Sequence, residues 1–180
     1  MIVDYLKLID KYYSSEPQLR ELLLVHSRAV ADLSVQIVDR HPELCADRLF
    51  VEEAAMLHDI GIIGTDAPGI FCHGDKPYIC HGTIGAEMLR GEGLDRHALV
   101  CERHTGAGIS LSQIISENLP LPHRDLLPVS IEERIICYAD KFYSKTRPTE
   151  RKSVDRALLS LEKFGKEGVD RFKAWIEMFE

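Results

Sequence analysis

Two side chains that bind metal ions well stand next to one another at His58-Asp59, after the apolar run Ala54-Ala55-Met56-Leu57 and before Ile60-Gly61. An imidazole nitrogen and a carboxylate oxygen suit zinc, iron, manganese or cobalt. The apolar flank predicts burial, and burying both groups unpartnered costs on the order of several kcal/mol. Either a divalent cation or a His–Asp hydrogen bond at a helix end would meet that cost. Gly61 falls where a helix C-cap belongs.

Other side chains of the same chemistry are spread through the chain. His26 lies beside the apolar face of a helix, where a hydrogen-bonded histidine at the core edge is the simpler reading. Asp140 follows Tyr138 and Ala139 in an apolar run. A carboxylate there needs a partner; Lys141 next door points about 100° away around a helix, and a metal ion would serve. His81 opens a helix beside Gly82 and suits a metal or phosphate site, or a cap. His104 ends a helix ahead of Thr105-Gly106-Ala107-Gly108. His97 sits two turns earlier, roughly 10 Å off, too far to share an ion with it. His41 stands four turns beyond His26, roughly 22 Å away, and reads as surface. Cys72-His73 and Cys80-His81 make a Cys/His zinc knuckle conceivable, although their spacing matches no established finger.

The elements that must position these groups are helical. After a short first helix, a helix from about Pro17 to Asp39, with Ser15 as N-cap, puts Leu22, Val25, Ala29, Leu33, Gln36 and Ile37 on one face. His41-Pro42 ends it. Asp47 caps a helix from about Arg48 to Ile60 that delivers His58-Asp59 at its C-terminal end. Ile62 to Cys80 contains glycines and two prolines without periodicity. A structureless stretch of about twenty residues in a compact domain is often functional, and a lid or substrate-binding loop is the expectation.

Helices follow over His81 to Leu89, from an Asp95 cap to His104, and over Ser110 to Asn118. Ser130-Ile131-Glu132-Glu133 is a capping box for the helix that carries Ile131, Ile135, Ile136, Ala139 and Phe142 inward. Thr149 caps a helix to Phe164, and Glu167 to Glu180 makes the last. No repeat, hairpin signal or linker interrupts them. Residues 1–180 are therefore expected to form one all-α domain, a single helical bundle.

Composition narrows the function. Hydrophobic residues are 45% and charged residues 28%, ordinary for a soluble domain. A net charge of −7 argues against a broad nucleic-acid surface or an anionic-membrane surface, yet leaves room for a small basic pocket around one phosphorylated ligand. No apolar run reaches membrane-spanning length, and Met1-Ile2-Val3-Asp4 does not start a signal peptide, so a cytoplasmic location is expected. Five scattered cysteines make no disulfide framework. A homo-oligomer is compatible with all of this.

His26, His58-Asp59 and Asp140, borne in that order on three helices, resemble the HD-domain phosphohydrolase superfamily, and His58-Asp59-Ile60-Gly61 resembles its frequent His-Asp-Ile-Gly variant. The resemblance covers about residues 20–145, a metal-binding core on which the C-terminal helices 149–180 would pack. It implies that His26, His58, Asp59 and Asp140 bind one divalent metal. It also implies that His81 and His104 stand where the dinuclear branch has two more histidines, with Asp59 bridging two ions of iron, manganese, zinc, cobalt or nickel.

Two departures matter: Ile62 replaces the basic residue that some relatives carry after the motif, and a second His-His pair is missing, which disfavours cyclic-dinucleotide hydrolysis. The implied activity is hydrolysis of a small phosphorylated metabolite or nucleotide; alternatives are a metal-binding or ligand-sensing domain without turnover, or a di-iron oxygenase. Phosphoryl transfer needs positive charge, for which Lys141, Lys76, Arg28 and Arg103 are candidates beside Asp59, with Lys76 brought in by closure of the loop. Asp66 and Asp75 are candidate acids.

Overall fold

The structure is a computed structural model that describes residues 2–180. Among them run nine α-helices: α1 (Tyr5–Tyr13), α2 (Pro17–Arg40), α3 (Arg48–Leu57), α4 (His81–Gly91), α5 (Asp95–Arg103), α6 (Leu111–Ser116), α7 (Ile131–Asp140), α8 (Val154–Leu161) and α9 (Lys166–Phe179). None is long and apolar enough to cross a membrane. Two strands of two residues each, β1 (Asp66–Ala67) and β2 (Cys72–His73), pair antiparallel, so the fold is all-α with a minimal hairpin.

α2 is the central helix, and α1, α3 and α7 pack against it. Its buried stripe is Leu19, Leu23, His26, Val30, Leu33 and Ile37, with Ser27 and Ser34 in the same face. The stripe is rotated from the expected one: Leu22, Val25 and Ala29 are half-buried and Gln36 is exposed. Serines count against burial when only apolar residues are read, yet Ser34 Oγ donates to the Val30 carbonyl at 2.8 Å and needs no outside partner. The rotation brings His26 from the edge of the apolar face to its centre.

One apolar cluster joins α2, α3 and α7 to α8 and α9, where Tyr138, Phe142 and Phe172 pack ring against ring. Another joins α1 and the start of α2 to α4 and α5. The inward carboxylates and imidazoles lie between them.

Several boundaries depart from expectation. α3 stops at Leu57, and Ile60–Gly64 forms a 3₁₀ turn. α8 starts at Val154 with Ser153 as its cap, so Thr149 caps nothing; residues 141–153 make turns, tied by Lys152 N–H to the Phe142 carbonyl. Ser15 gives way to Glu16 at the start of α2. The stretch from Ile62 to Cys80 is organised by the hairpin and by 3₁₀ turns at Pro68–Ile70 and Tyr78–Cys80.

Candidate metal centre

Six side chains reach one point from five places. His26 comes from the middle of α2, His58-Asp59 from the end of α3, His81 from the first residue of α4, His104 from just past α5, and Asp140 from the last turn of α7. Two glycines permit the approach. A Cβ on Gly61 would lie 2.2 Å from the Gly85 nitrogen and from the His81 carbonyl oxygen, so the turn after Asp59 touches α4 backbone to backbone. Gly61 therefore serves close packing rather than a helix C-cap. A Cβ on Gly82 would lie 2.5 Å from the Cys101 carbonyl oxygen, which lets α4 and α5 close up and sets His81 beside His104.

Asp59 is the hub, fully buried, with its two oxygens turned to different partners. Oδ2 lies 3.1 Å from Nε2 of His26 and 3.1 Å from Nε2 of His58. Oδ1 lies 3.3 Å from Nε2 of His104 and 3.5 Å from Nε2 of His81. Asp140 Oδ1 completes the first side, 3.1 Å from His26 Nε2 and 3.4 Å from His58 Nε2. In each of two groups, His26–His58–Asp59–Asp140 and Asp59–His81–His104, one ligand atom per residue lies within 4.8 Å of all the others.

The tautomers are set by backbone. Nδ1 of His58, His81 and His104 each donates to the carbonyl three residues earlier: Ala55 at 2.6 Å, Tyr78 at 2.7 Å and Cys101 at 2.7 Å. A carbonyl only accepts, so each Nδ1 carries a proton and each Nε2 is the atom turned to the centre. Burial, reinforced by His104, pulls the His81 pKa down to about 3, and burial lowers that of His104. Both rings are neutral at pH 7, with their Nε2 atoms 3.1 Å apart and lone pairs facing. Two lone pairs so placed repel unless a cation lies between them.

On the other side, burial opposes a charge on His58, but Asp59 and Asp140 outweigh it and lift its pKa to about 9. Burial likewise works against ionised Asp59 and Asp140. For Asp59 the charges of His58 and Lys145 prevail, and for Asp140 the charge of Lys141, the hydrogen bond from His26 and the ion pair with His58, so both carboxyls stay well below the ordinary range.

These residues fit divalent ions. Nitrogen and oxygen ligands about 2.1 Å from an ion stand about 3.0–3.4 Å apart in octahedral or tetrahedral arrangement, and the separations here run from 3.1 to 3.5 Å. His58 Nε2 and both Asp59 oxygens are buried without a hydrogen bond of good geometry. The nearest compensation is Lys145, whose Nζ makes an ion pair 2.6 Å from Asp59 Oδ2.

The centre opens into a cleft of about 510 Å³, in the range of small-ligand sites. Lys141, Lys145, Lys152 and Lys163 line it, against one acid, Asp140. Tyr78 stacks on His81, ring centroids 4.7 Å apart, and Lys145 Nζ lies 5.7 Å from the Tyr78 ring. The loop from Ile62 to Cys80 contributes Ala67, Gly69, Ile70 and Tyr78 to the wall.

Of the cations singled out from sequence, Lys141 is at the centre, 2.7 Å from Asp140 Oδ2. Arg28 is not: it turns outward to Glu52 and Tyr5. Lys76 is bound into the hairpin by its backbone, and its ammonium faces solvent 3.5 Å from Asp75. Arg103 pairs with Glu133, and Asp66 and Asp75 are exposed away from the cleft. His97 is occupied by buried Glu53 at 3.3 Å, while His41 is half-buried against Glu43 and the Phe179 carbonyl rather than free on the surface. The cysteines of the conceivable knuckle point to carbonyls, Cys72 to Ile70 and Cys80 to Pro120. Lys145 was missed because the turn that carries it looked like the approach to a helix; the excess of lysines and arginines after Asp140 in an acidic chain was its signal.

Comparison with known proteins places the core in a family. Residues 23–144 match the family model of the HD domain. An uncharacterized protein of Methanocaldococcus jannaschii is 36% identical over 144 residues, 79% of this chain and 75% of that one. The tRNA (cytidine(56)-2'-O)-methyltransferases of Picrophilus torridus and Thermoplasma volcanium are each 34% identical, over 71% and 77% of this chain. The matched regions are 33% and 35% of those two proteins, so the chain spans about a third of their length. No solved structure matches the chain.

Proposed function

Because the chain belongs to the HD-domain family, we propose that it is a metal-dependent phosphohydrolase that cleaves a phosphoester or phosphoanhydride of a small phosphorylated metabolite or nucleotide. The observation that carries this reading is Asp59, which offers one oxygen to each of two ligand groups at the floor of a lysine-lined cleft. His26, His58 and Asp140 would hold one divalent ion with Asp59, and His81 and His104 a second. Ions there would supply Lewis acidity and hydroxide at neutral pH for in-line displacement at phosphorus.

The chain's own residues do the rest. Lys141 and Lys145 place ammonium groups beside the ligand carboxylates, where a phosphate entering the cleft would exchange its water for them. The Nδ1 bonds of His58, His81 and His104 fix their rings before any ligand arrives. Tyr78, stacked on His81, keeps that ring from turning and shields it from water.

A second reading is favoured by the two methyltransferases, in which a region similar to this chain occupies a third of the length. In that reading the domain binds metal and assists a partner activity without turnover of its own. A hydrolysis screen over phosphorylated metabolites and nucleotides, run with Mn²⁺, Co²⁺ or Ni²⁺, tests the first reading. Release of phosphate by wild type and none by Asp59→Asn supports it. A metal-replete protein inert on every substrate defeats it and leaves the second.

A further inference from the structure

The lysines at the centre are the near end of a longer basic feature. Residues 141–156 hold six Lys and Arg against two Asp and Glu, while the other 164 residues hold 16 against 27. The surplus is gathered in space as well as in sequence. Next to the main cleft lies a smaller groove of about 340 Å³, lined by Arg147, Arg151, Lys152 and Arg156, and the two share Ser144, Thr146 and Lys152 as a common wall.

These cations are poorly compensated. Arg147 has Glu150 at 3.5 Å, the groove's one acid, and Arg151 has Glu180 at 3.7 Å with its guanidinium over the Phe142 ring. Among the described residues, Lys152, Arg156 and Lys163 have no ion-pair partner. A lysine ammonium that is half-buried beside others of like charge is costly unless an anion joins it. One phosphate at the His/Asp centre is met by Lys141 and Lys145, and it leaves the outer cations unanswered.

We propose that this groove is a second phosphate subsite and that the ligand is an oligophosphate compound. Its reacting phosphate enters the His/Asp centre, and further phosphates of the same chain lie along Lys152 toward Arg147, Arg151 and Arg156. The proposal deepens the phosphohydrolase reading and rests on it for the identity of the reacting end. A long nucleic acid is disfavoured by the same charges: the basic surface is two small adjoining cavities, and a polyanion running beyond them crosses a surface with a net excess of acids.

The test is calorimetric titration of the metal-loaded protein with inorganic tripolyphosphate and with orthophosphate, for wild type and Arg147→Glu/Arg156→Glu. Both substituted side chains are exposed, and matched melting curves and metal contents establish that the variant is folded and loaded. Metal chelation by tripolyphosphate is common to both proteins and cancels in their ratio. The expected result is that wild type binds tripolyphosphate roughly tenfold or more tighter than orthophosphate, about 1.4 kcal/mol, and that the variant loses most of that preference. Equal tripolyphosphate affinity in the two proteins would overturn the subsite, whether or not the protein hydrolyses phosphoesters. Loss of the preference in a protein that hydrolyses nothing would uphold the subsite and overturn the hydrolase reading instead.

Discussion

Lys145→Met separates what the lysine does for the fold from what it does for a ligand. Its ammonium lies 2.6 Å from Asp59 Oδ2, closer than the neighbouring imidazoles, with the two side chains 12% and 0% exposed. Methionine keeps the length of the side chain and removes the charge. Breaking a buried pair by deleting one partner costs about 3–5 kcal/mol. His58, held charged by the same carboxylates, remains to offset part of it, so the lower end, about 3 kcal/mol, is the expectation. At about 2–4 °C per kcal/mol for a domain of this size, the melting temperature should fall by roughly 6–12 °C. With divalent ions facing both Asp59 oxygens the lysine is no longer the compensating charge, and the loss should shrink to under about 1 kcal/mol, roughly 2–4 °C. Scanning calorimetry of wild type and variant, in chelator and in excess Mn²⁺, measures both differences. An equal drop in the two conditions would refute the reasoning, since the lysine would then be a packing element indifferent to the centre. No drop in chelator would refute it as well.

Other substitutions test other links. His104→Ala should lower metal content from about two ions per chain toward one, because only the Oδ1 side loses a ligand; unchanged stoichiometry by elemental analysis would remove His104 from the ligand set. Gly61→Ala should destabilise by about 3 kcal/mol or more and reduce metal binding, since its Cβ would stand 2.2 Å from the backbone of α4; a wild-type denaturant midpoint would contradict the close approach. Glu53→Ala should cost about 2 kcal/mol by orphaning the Val3 N–H, 2.8 Å away, and buried His97, 3.3 Å away, while metal content stays at the wild-type level. Metal loss there would mean that the two polar clusters are coupled.

Much of the centre was legible because it is spelled by residue type. His58-Asp59 in an apolar run, an aspartate at the end of a capped helix, and histidines opening one helix and closing another are local signals. Each survives an error of a few residues in the helix boundaries. What was not legible depended on orientation and on turns. His26 read as an edge residue because Ser27 and Ser34 were discounted from the buried stripe, although both are buried and Ser34 satisfies its hydroxyl within the helix. Arg28 and Lys76 carried the right charge, but nothing in the sequence says that one points to Glu52 and the other out of a hairpin. Lys145 lies in the turns between α7 and α8, where no periodicity fixes the direction of a side chain. Gly61 looked like a helix stop because the helix on the far side of its close contact is distant in sequence.

The central claim is that Asp59 joins two metal-ligand groups, and metal analysis tests it most directly. Wild type and Asp59→Asn, purified without chelator and then equilibrated with Mn²⁺ or Fe²⁺ and desalted, should differ completely: about two ions per chain in wild type, and tight binding at neither position in the variant. Full occupancy in Asp59→Asn, or a folded wild type that retains no ion under metal-replete conditions, would contradict it.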